Sequence, residues 1–356
     1  MIWLMHFIIV ASLFLLSKKV GNKNFYTISI FIYITFIFGQ RWMTGEDFPG
    51  YLLYYLINFQ GTEYGYDLIQ EFFVSNKLYF GLLVFLIYLI TQINFFNLFR
   101  KFEQKDLLIF LYCLMEIFFM EMSQIRQWLA ISFFVNSFYY IYTNKKIKAI
   151  IFLLIGASFH SSILFLIPFL IFKPKLKLNI YLFMFSICLI LPFINIKLFL
   201  GPFEDVFYSN YFDSVYDVKL GFSHSIRYYT ILFLTLFYLY RIKIDLKRHL
   251  SYQIINGHLL YFILYGLSFY FAPFMRLSYF FKVYEIFFLI YFIPYITVIN
   301  KTLIKRLVVC ITLSLYLVIS ILDPYNITRY EFRMLQLHEN KSKTELFSEI
   351  ELFYLN

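Results

Sequence analysis

The run LYFGLLVFLIYLITQINFFNLF, residues 78–99, decides the fold class because it carries no charged side chain over a length that can cross a bilayer. Similar apolar runs recur along the chain of 356 residues, which is 61% hydrophobic and only 15% charged. The sequence therefore predicts an all-α, polytopic transmembrane protein in which residues 1–356 form one integral membrane domain. The ten predicted spans are 2–17, 25–40, 78–99, 107–121, 124–142, 179–194, 226–240, 254–272, 276–299 and 307–322.

The basic residues mark one side of these spans. Six short connections hold 19 of the 31 Lys and Arg residues but only 3 of the 21 Asp and Glu residues. Cytoplasmic loops carry such an excess of Lys and Arg, so we expect all six connections to face the cytoplasm. The net charge of +10 then reports membrane orientation, and no nucleic-acid partner is needed to explain it. The segments left on the outer side are the loops 41–77 and 195–225 and the acidic tail 323–356.

The apolar run 147–172 has a basic connection at each end, so both of its ends should lie on the same side. A re-entrant hairpin bent near Ala157–Ser162 meets this condition, with arms of about 13 residues, or about 20 Å, each. His160 would then lie at the apex, where backbone that leaves the helix must line a cavity or be buried in protein. A single span over 147–172 is the alternative.

The first outer loop carries two candidate motifs. It opens with Arg41-Trp-Met-Thr-Gly45-Glu-Asp47-Phe-Pro-Gly50-Tyr51, whose turn residues hold Asp47 near the membrane surface. The Asp47 carboxylate could accept a proton from a sugar hydroxyl, or the segment could be a solvated turn anchored by Arg41 and Trp42. Further along, Glu63-Tyr-Gly-Tyr-Asp67 could bind carbohydrate through carboxylates and aromatic faces, or simply lead back into the membrane.

Arg126 and His160 lie inside segments that otherwise resemble membrane spans, where a charge costs about 2.5–3.5 kcal/mol on insertion scales. Arg126 and Gln127 form a polar patch, and a guanidinium presents a fork of donors that suits a phosphate oxygen pair. The alternative for Arg126 is a structural salt bridge to Glu121 or Glu116. His160 could be a hydrogen-bonded helix break, or a general acid or phosphate ligand beside Arg126.

Arg276, Tyr279 and Lys282 recur every three residues at the start of another span, so they share one helix face. Arg276 could join Arg126 on an anionic ligand, whereas Lys282 and Glu285 could neutralise each other. The sequence contains no Gly-rich phosphate loop, no Asp-x-Asp pair and no His/Cys cluster. We therefore expect chemistry that uses no cofactor and no protein-bound metal.

Taken in order, these motifs resemble the EpsG branch of the Wzy-type polysaccharide polymerases. The resemblance runs from about residue 40 to 326 and departs from the family at Tyr64, where a proline more often follows the glutamate. The matching motifs are Arg41…Gly45-x-Asp47-x-x-x-Tyr51, Glu63-x-Gly65-Tyr66, Arg126-Gln127-x-x-Ala130, His160-x-Ser162, Arg276-x-x-Tyr279-Phe280 and Pro324-Tyr325.

The resemblance implies a multi-pass glycosyltransferase of the bacterial inner membrane that joins undecaprenyl-pyrophosphate-linked oligosaccharide repeat units into O-antigen or exopolysaccharide. Arg126 and Arg276, helped by Arg41, would hold the pyrophosphate. Asp47 would be the base for the acceptor hydroxyl, and His160 would orient the phosphate or share the base role. Membrane lipid, a chain-length regulator and a flippase are the implied partners. A lipid-linked oligosaccharide flippase and an O-antigen ligase or O-acyltransferase are the alternatives.

Overall fold

The computed structural model describes residues 2–20, 24–168, 174–200, 221–241, 249–293, 301–322 and 330–355. These residues are almost entirely helical, as the sequence predicts, apart from two strands of two residues each, β1 (Arg41–Trp42) and β2 (Glu331–Phe332). The helices are α1 (Ile2–Val20), α2 (Phe25–Gly39), α3 (Phe48–Leu56), α4 (Tyr64–Ser75), α5 (Phe80–Phe99), α6 (Lys105–Leu114), α7 (Glu116–Ser123), α8 (Ile125–Tyr142), α9 (Lys146–Phe159), α10 (Leu178–Ile187), α11 (Lys197–Leu200), α12 (Phe222–Arg241), α13 (His249–Leu267), α14 (Pro273–Tyr291), α15 (Lys301–Leu322) and α16 (Lys343–Leu355).

Contacts between these elements divide the chain into two compact units. The first comprises Met1–Ser137, Ile147–Leu164 and Val309–Asn356, and the second comprises Phe138–Lys146 and Phe165–Val308. That the whole chain forms one integral membrane domain stays a prediction.

Two of the described helices, α1 and α5, are long and apolar enough to cross a membrane. Shorter apolar helical stretches cover Phe25–Gly39, Leu178–Phe193 and Val308–Val318. The predicted span 107–121 is not one helix, because the backbone is extended at Met115 (φ −97°, ψ 160°) between α6 and α7. The count of ten spans stays a prediction.

The predicted first outer loop, 41–77, is itself folded. It contains β1, α3 and α4, and its buried residues include Tyr51 and Tyr66. β1 pairs antiparallel with β2 from the C-terminal tail, with Trp42 opposite Glu331. The second predicted outer loop, 195–225, lies largely outside the described residues, as does Pro324-Tyr325.

The chain leaves the α-helix where the sequence predicts a bend. α9 ends at Phe159, His160 lies outside any helix, and a 3₁₀ turn follows over Ser161–Leu166. The return arm of the predicted hairpin includes residues 169–172, which lie outside the described residues, so the hairpin stays a prediction.

Candidate active site

Three helix ends of the first unit meet at one carboxylate. Glu63, just before α4, bonds Arg126 Nη1 through Oε2 and contacts His160 Nδ1 through Oε1 at 3.0 Å. Arg126 lies in the first turn of α8, and His160 directly follows α9. The side chains of Arg126, Glu63 and His160 are 19%, 14% and 21% exposed, so they are largely desolvated yet open to a ligand. We call these three residues the Arg–Glu–His cluster.

Local hydrogen bonds before α4 position Glu63. Its backbone is extended, and its carbonyl accepts from the amides of Tyr66 and Asp67, so the helix begins without using the Glu63 side chain. The Asp67 carboxylate accepts from the amides of Gly61 at 2.9 Å and Thr62 at 3.2 Å. The turn before the helix is thereby tied to its first turn, which leaves the Glu63 carboxylate available to the other two elements.

Gly65 lets the start of α4 approach the end of α9. A Cβ at this position would lie 2.5 Å from Ser158 Oγ and 2.9 Å from the Ser158 carbonyl oxygen. Only a glycine fits so close an approach without a shift of the backbone. The contact at Gly65 places Glu63, two residues earlier, within reach of His160, two residues after Ser158.

A second close approach joins α8 to α9. A Cβ on Gly156 would meet the Ala130 carbonyl oxygen at 3.2 Å and Phe133 Cβ at 3.1 Å. Small residues allow helix backbones to approach closely in this way. Because Arg126 lies one helical turn before Ala130, this packing aligns Arg126 with the end of α9 and with His160.

Two aromatic rings from the folded segment 41–77 hold the Arg126 guanidinium. Its carbon lies 5.1 Å from the Tyr51 ring centroid and 5.3 Å from that of Tyr66, which are cation–π distances. Burial raises the pKa of Tyr51 to about 12 and raises that of Tyr66 further, so both phenols are neutral. The ion pair that the structure shows for Arg126 is with Glu63, whereas the sequence suggested Glu121 or Glu116 as the partner.

Glu121 has other partners. Its side chain is 1% exposed and accepts hydrogen bonds from Tyr112 Oη and Gln92 Nε2, each at 2.7 Å. These bonds join α7 to α6 and α5. Glu121 therefore belongs to a buried hydrogen-bond network of α5, α6 and α7.

Arg41 is placed in the interior rather than in the cluster. It is 1% exposed, and its guanidinium donates to the Met122 carbonyl oxygen at 3.1 and 3.2 Å and to the Phe38 carbonyl oxygen at 2.9 Å. Gly45 (φ 96°) packs beside it, where a Cβ would lie 2.7 Å from Ser123 Cα. These contacts hold the end of α7, and hence the start of α8 that carries Arg126.

Asp47 is the residue before α3, one helical turn ahead of Tyr51. The Asp47 carbonyl oxygen accepts from the Tyr51 amide at 3.1 Å, and the Asp47 charge is one cause of the raised Tyr51 pKa, after burial. Asp47 is thus near the ring that supports Arg126. Gln127, next to Arg126, is buried at 5% exposure.

Arg276 and Tyr279 lie in the first two turns of α14, in the second unit. Arg276 is exposed and Tyr279 is buried. Glu285, on the same helix, forms an ion pair with Arg227 at 3.6 Å. That Arg276 shares a ligand with Arg126 stays a prediction. Among the described residues, no three His, Cys, Asp or Glu side chains lie close enough to hold a metal ion.

Comparison with family models matches residues 3–332 to the model of the EpsG family. The chain belongs to the EpsG family. The predicted resemblance is therefore confirmed over nearly the whole chain. Comparisons with curated proteins and with solved structures each found no match. Membership associates the chain with polysaccharide biosynthesis and with a membrane location.

The EpsG-family motifs acquire physical roles in the structure. Gly65, Ala130 and Gly45 are sites of close approach, and Tyr51 and Tyr66 support the arginine. The sequence predicts for Glu63 a contact with carbohydrate, and the structure makes it the residue that joins Arg126 to His160. The spacing Glu63-x-Gly65 was the available signal, since the glycine marks the contact that delivers the carboxylate.

Proposed function

We propose that this EpsG-family protein joins oligosaccharide repeat units carried on undecaprenyl pyrophosphate, on the outer face of a bacterial inner membrane. The observation that carries the proposal is the bridging of Arg126 and His160 by Glu63 in a half-buried site. A glycosyl transfer from a lipid pyrophosphate needs a base for the acceptor hydroxyl and positive charge at the leaving group. The Arg–Glu–His cluster supplies both.

His160 is the base in this proposal. An ionised carboxylate only accepts hydrogen bonds, so the 3.0 Å contact to Glu63 Oε1 fixes the hydrogen of a neutral His160 on Nδ1. Its Nε2 then carries the lone pair that takes the proton. Glu63 also stabilises the imidazolium that forms, as a carboxylate does behind a catalytic histidine. The predicted base Asp47 becomes a second carboxylate near the acceptor.

Arg126 balances the pyrophosphate charge. It lies in the first turn of α8, at the positive end of the helix dipole. Its Nε is buried and has no hydrogen-bond partner in the part of the chain that the structure describes, and the Tyr51 and Tyr66 faces fix its plane. A preorganised cation of this kind stabilises charge at little reorganisation cost. Gln127 supports this turn, and Arg41 positions it through Met122.

The acceptor hydroxyl oxygen attacks the anomeric carbon of the donor sugar, and its proton passes to His160 Nε2. The bond from that carbon to the pyrophosphate oxygen breaks, and the electron pair leaves with the pyrophosphate. Arg126 receives the added negative charge. Arg276 and Tyr279 are assigned to substrate binding in the second unit.

The test is a gel of lipid-linked surface polysaccharide from a strain that lacks the gene, rescued with wild type or single variants. Wild type should restore a ladder, whereas Arg126→Ala, Glu63→Gln and His160→Gln should leave single-repeat bands. Glu71→Gln, an exposed carboxylate on α4, is the matched control and should restore the ladder.

Three other outcomes would contradict the proposal. Loss of every repeat, including the single one, in the strain without the gene would indicate a flippase. Single-repeat and polymer bands that accumulate on the lipid carrier without transfer would indicate a ligase. A full ladder with Arg126→Ala would remove Arg126 from the mechanism.

A further inference from the structure

A second candidate site lies in the first unit, between loop 41–77 and the C-terminal tail. A cleft of about 460 Å³ is lined by Met43 on one side and by residues of the tail on the other. This volume is within the range of about 300–1,000 Å³ that small-ligand sites occupy. The tail is anchored there by the β1–β2 pairing and by α16, which packs on α3.

The cleft carries a fixed and balanced set of charges. Arg333 pairs with Glu331 at 3.0 Å and with Glu349 at 3.3 Å, and Lys341 also pairs with Glu349. Trp42 supports this network. Its Nε1 donates to Glu349 at 2.8 Å, and its ring centroid lies 3.9 Å from the Arg333 guanidinium carbon. Carboxylates and cations alternate along this network, in the order Glu331, Arg333, Glu349 and Lys341.

One donor in the network is unsatisfied. Arg333 Nη1 is buried and has no hydrogen-bond partner among the described residues. Buried donors are rarely left unpaired, and a ligand is one way to satisfy them. Apolar surface from Leu352 and Phe353 completes the lining, and Met43 adopts a costly left-handed conformation (φ 42°) at the edge of the cleft.

We infer that this cleft is a subsite for neutral sugars of the repeat unit, an inference that rests on the proposed function. Sugar hydroxyls both donate and accept, so they suit alternating carboxylates and cations, while the C–H faces of a sugar ring suit Leu352 and Phe353. The family match ends at residue 332, so Arg333, Lys341 and Glu349 lie beyond it. A site built from this tail would adapt the common reaction to the particular glycan that this chain joins.

The cleft adjoins the segment that leads to the proposed reaction centre. Met43 lies four residues before Asp47, and the charge of Asp47 helps to raise the pKa of Tyr354 in α16, after burial. A glycan held in the cleft would therefore lie beside α3. The subsite would hold part of the glycan while the Arg–Glu–His cluster acts on its reacting end.

The test is a binding measurement on the full chain purified in detergent. The probe is a set of neutral oligosaccharides released by partial acid hydrolysis from the polysaccharide of the parent strain, followed by saturation-transfer NMR. We expect wild type to bind the fragments, and Arg333→Gln and Leu352→Trp to bind them at least tenfold more weakly. Leu352 is 56% exposed, so tryptophan there fills the cleft without disturbing the core. Glu351→Gln, exposed on the same helix, is the matched control and should bind as wild type does.

The outcomes separate this inference from the proposed function. Failure of wild type to bind the fragments, or unchanged binding by Leu352→Trp, would overturn the subsite. Binding of inorganic pyrophosphate that is lost in Arg333→Gln would also overturn it, because the cleft would then hold an anionic headgroup. Arg126→Ala should lose the polymer ladder yet still bind the fragments, so a full ladder in that variant would refute only the proposed function.

Discussion

Substitution of Gly65 by alanine tests whether the approach of α4 to α9 assembles the site. The added Cβ would lie 2.9 Å from the Ser158 carbonyl oxygen, whereas ordinary contact begins near 3.4 Å. The backbone of α4 would therefore have to move by roughly 0.5 Å, and overpacking of this kind costs about 1–3 kcal/mol. Alanine is favoured over glycine in a helix by about 0.5–1 kcal/mol, which offsets part of that cost.

The effect on transfer should exceed the effect on stability. A displacement of about 1 Å at a reacting group can lower a rate about 100-fold, so a shift of roughly 0.5 Å predicts a loss of about tenfold. The assay is the rate of polymer formation by the purified protein from lipid-linked repeat units, alongside Tm in the same detergent. We expect the rate to fall about tenfold while Tm falls by only a few degrees.

Two further variants make this prediction specific. Gly50→Ala is the matched control, because a Cβ at Gly50 would meet no described residue outside its own stretch of α3 within 4 Å, and it should leave the rate unchanged. Ser158→Gly combined with Gly65→Ala removes the side-chain part of the clash and should recover part of the rate. A Gly65→Ala protein with the wild-type rate would refute the claim that this contact positions Glu63.

Three other predictions follow from the same contacts. Glu63→Gln should lower the transfer rate about 100-fold or more with a small change in Tm, because it removes the charge that orients His160. Gly45→Ala should lower both Tm and rate, because a left-handed conformation alone costs alanine about 1–2 kcal/mol and the Cβ would also meet Ser123 Cα at 2.7 Å. Burial by itself would raise the pKa of Glu349, but its partners, Lys341 first, hold that pKa below its ordinary value. The tail should therefore stay docked above the ordinary glutamate pKa and detach as pH falls through the lowered one, which limited proteolysis would detect.

One experimental result would contradict each of these three predictions. Glu71→Gln should have the wild-type transfer rate. Equal losses of rate in Glu63→Gln and Glu71→Gln would show that the Glu63 carboxylate has no specific role. Gly45→Ala with an unchanged Tm would mean that its loop does not hold α7. For the tail, Glu349→Gln should abolish the pH dependence of proteolysis. If the pH dependence persisted in this variant, a group other than Glu349 would cause it.

Much of the site's content was predictable, but its assembly was not. Arg126 and His160 stand out in the sequence because a titratable side chain in an apolar run is costly. Asp47 and Glu63 stand out less, since carboxylates are common in an outer loop. Both have a glycine two residues away, at Gly45 and Gly65, so the glycine spacing marks both as candidates without showing which of the two meets Arg126. The structure places Glu63 there, and it buries Arg41 among backbone carbonyls, where the sequence suggested a phosphate contact.

The sequence by itself determined the helical membrane class. The apolar content of each run is a local property, and an apolar run placed in a bilayer must satisfy its own backbone hydrogen bonds, which favours a helix. It also determined the family motifs and their order. Only the tertiary structure decided that a carboxylate bridges an arginine 63 residues later and a histidine 97 residues later. The physical reason is that such pairings depend on how closely backbones approach at Gly65 and Gly156, and that distance is set by packing between segments far apart in the chain.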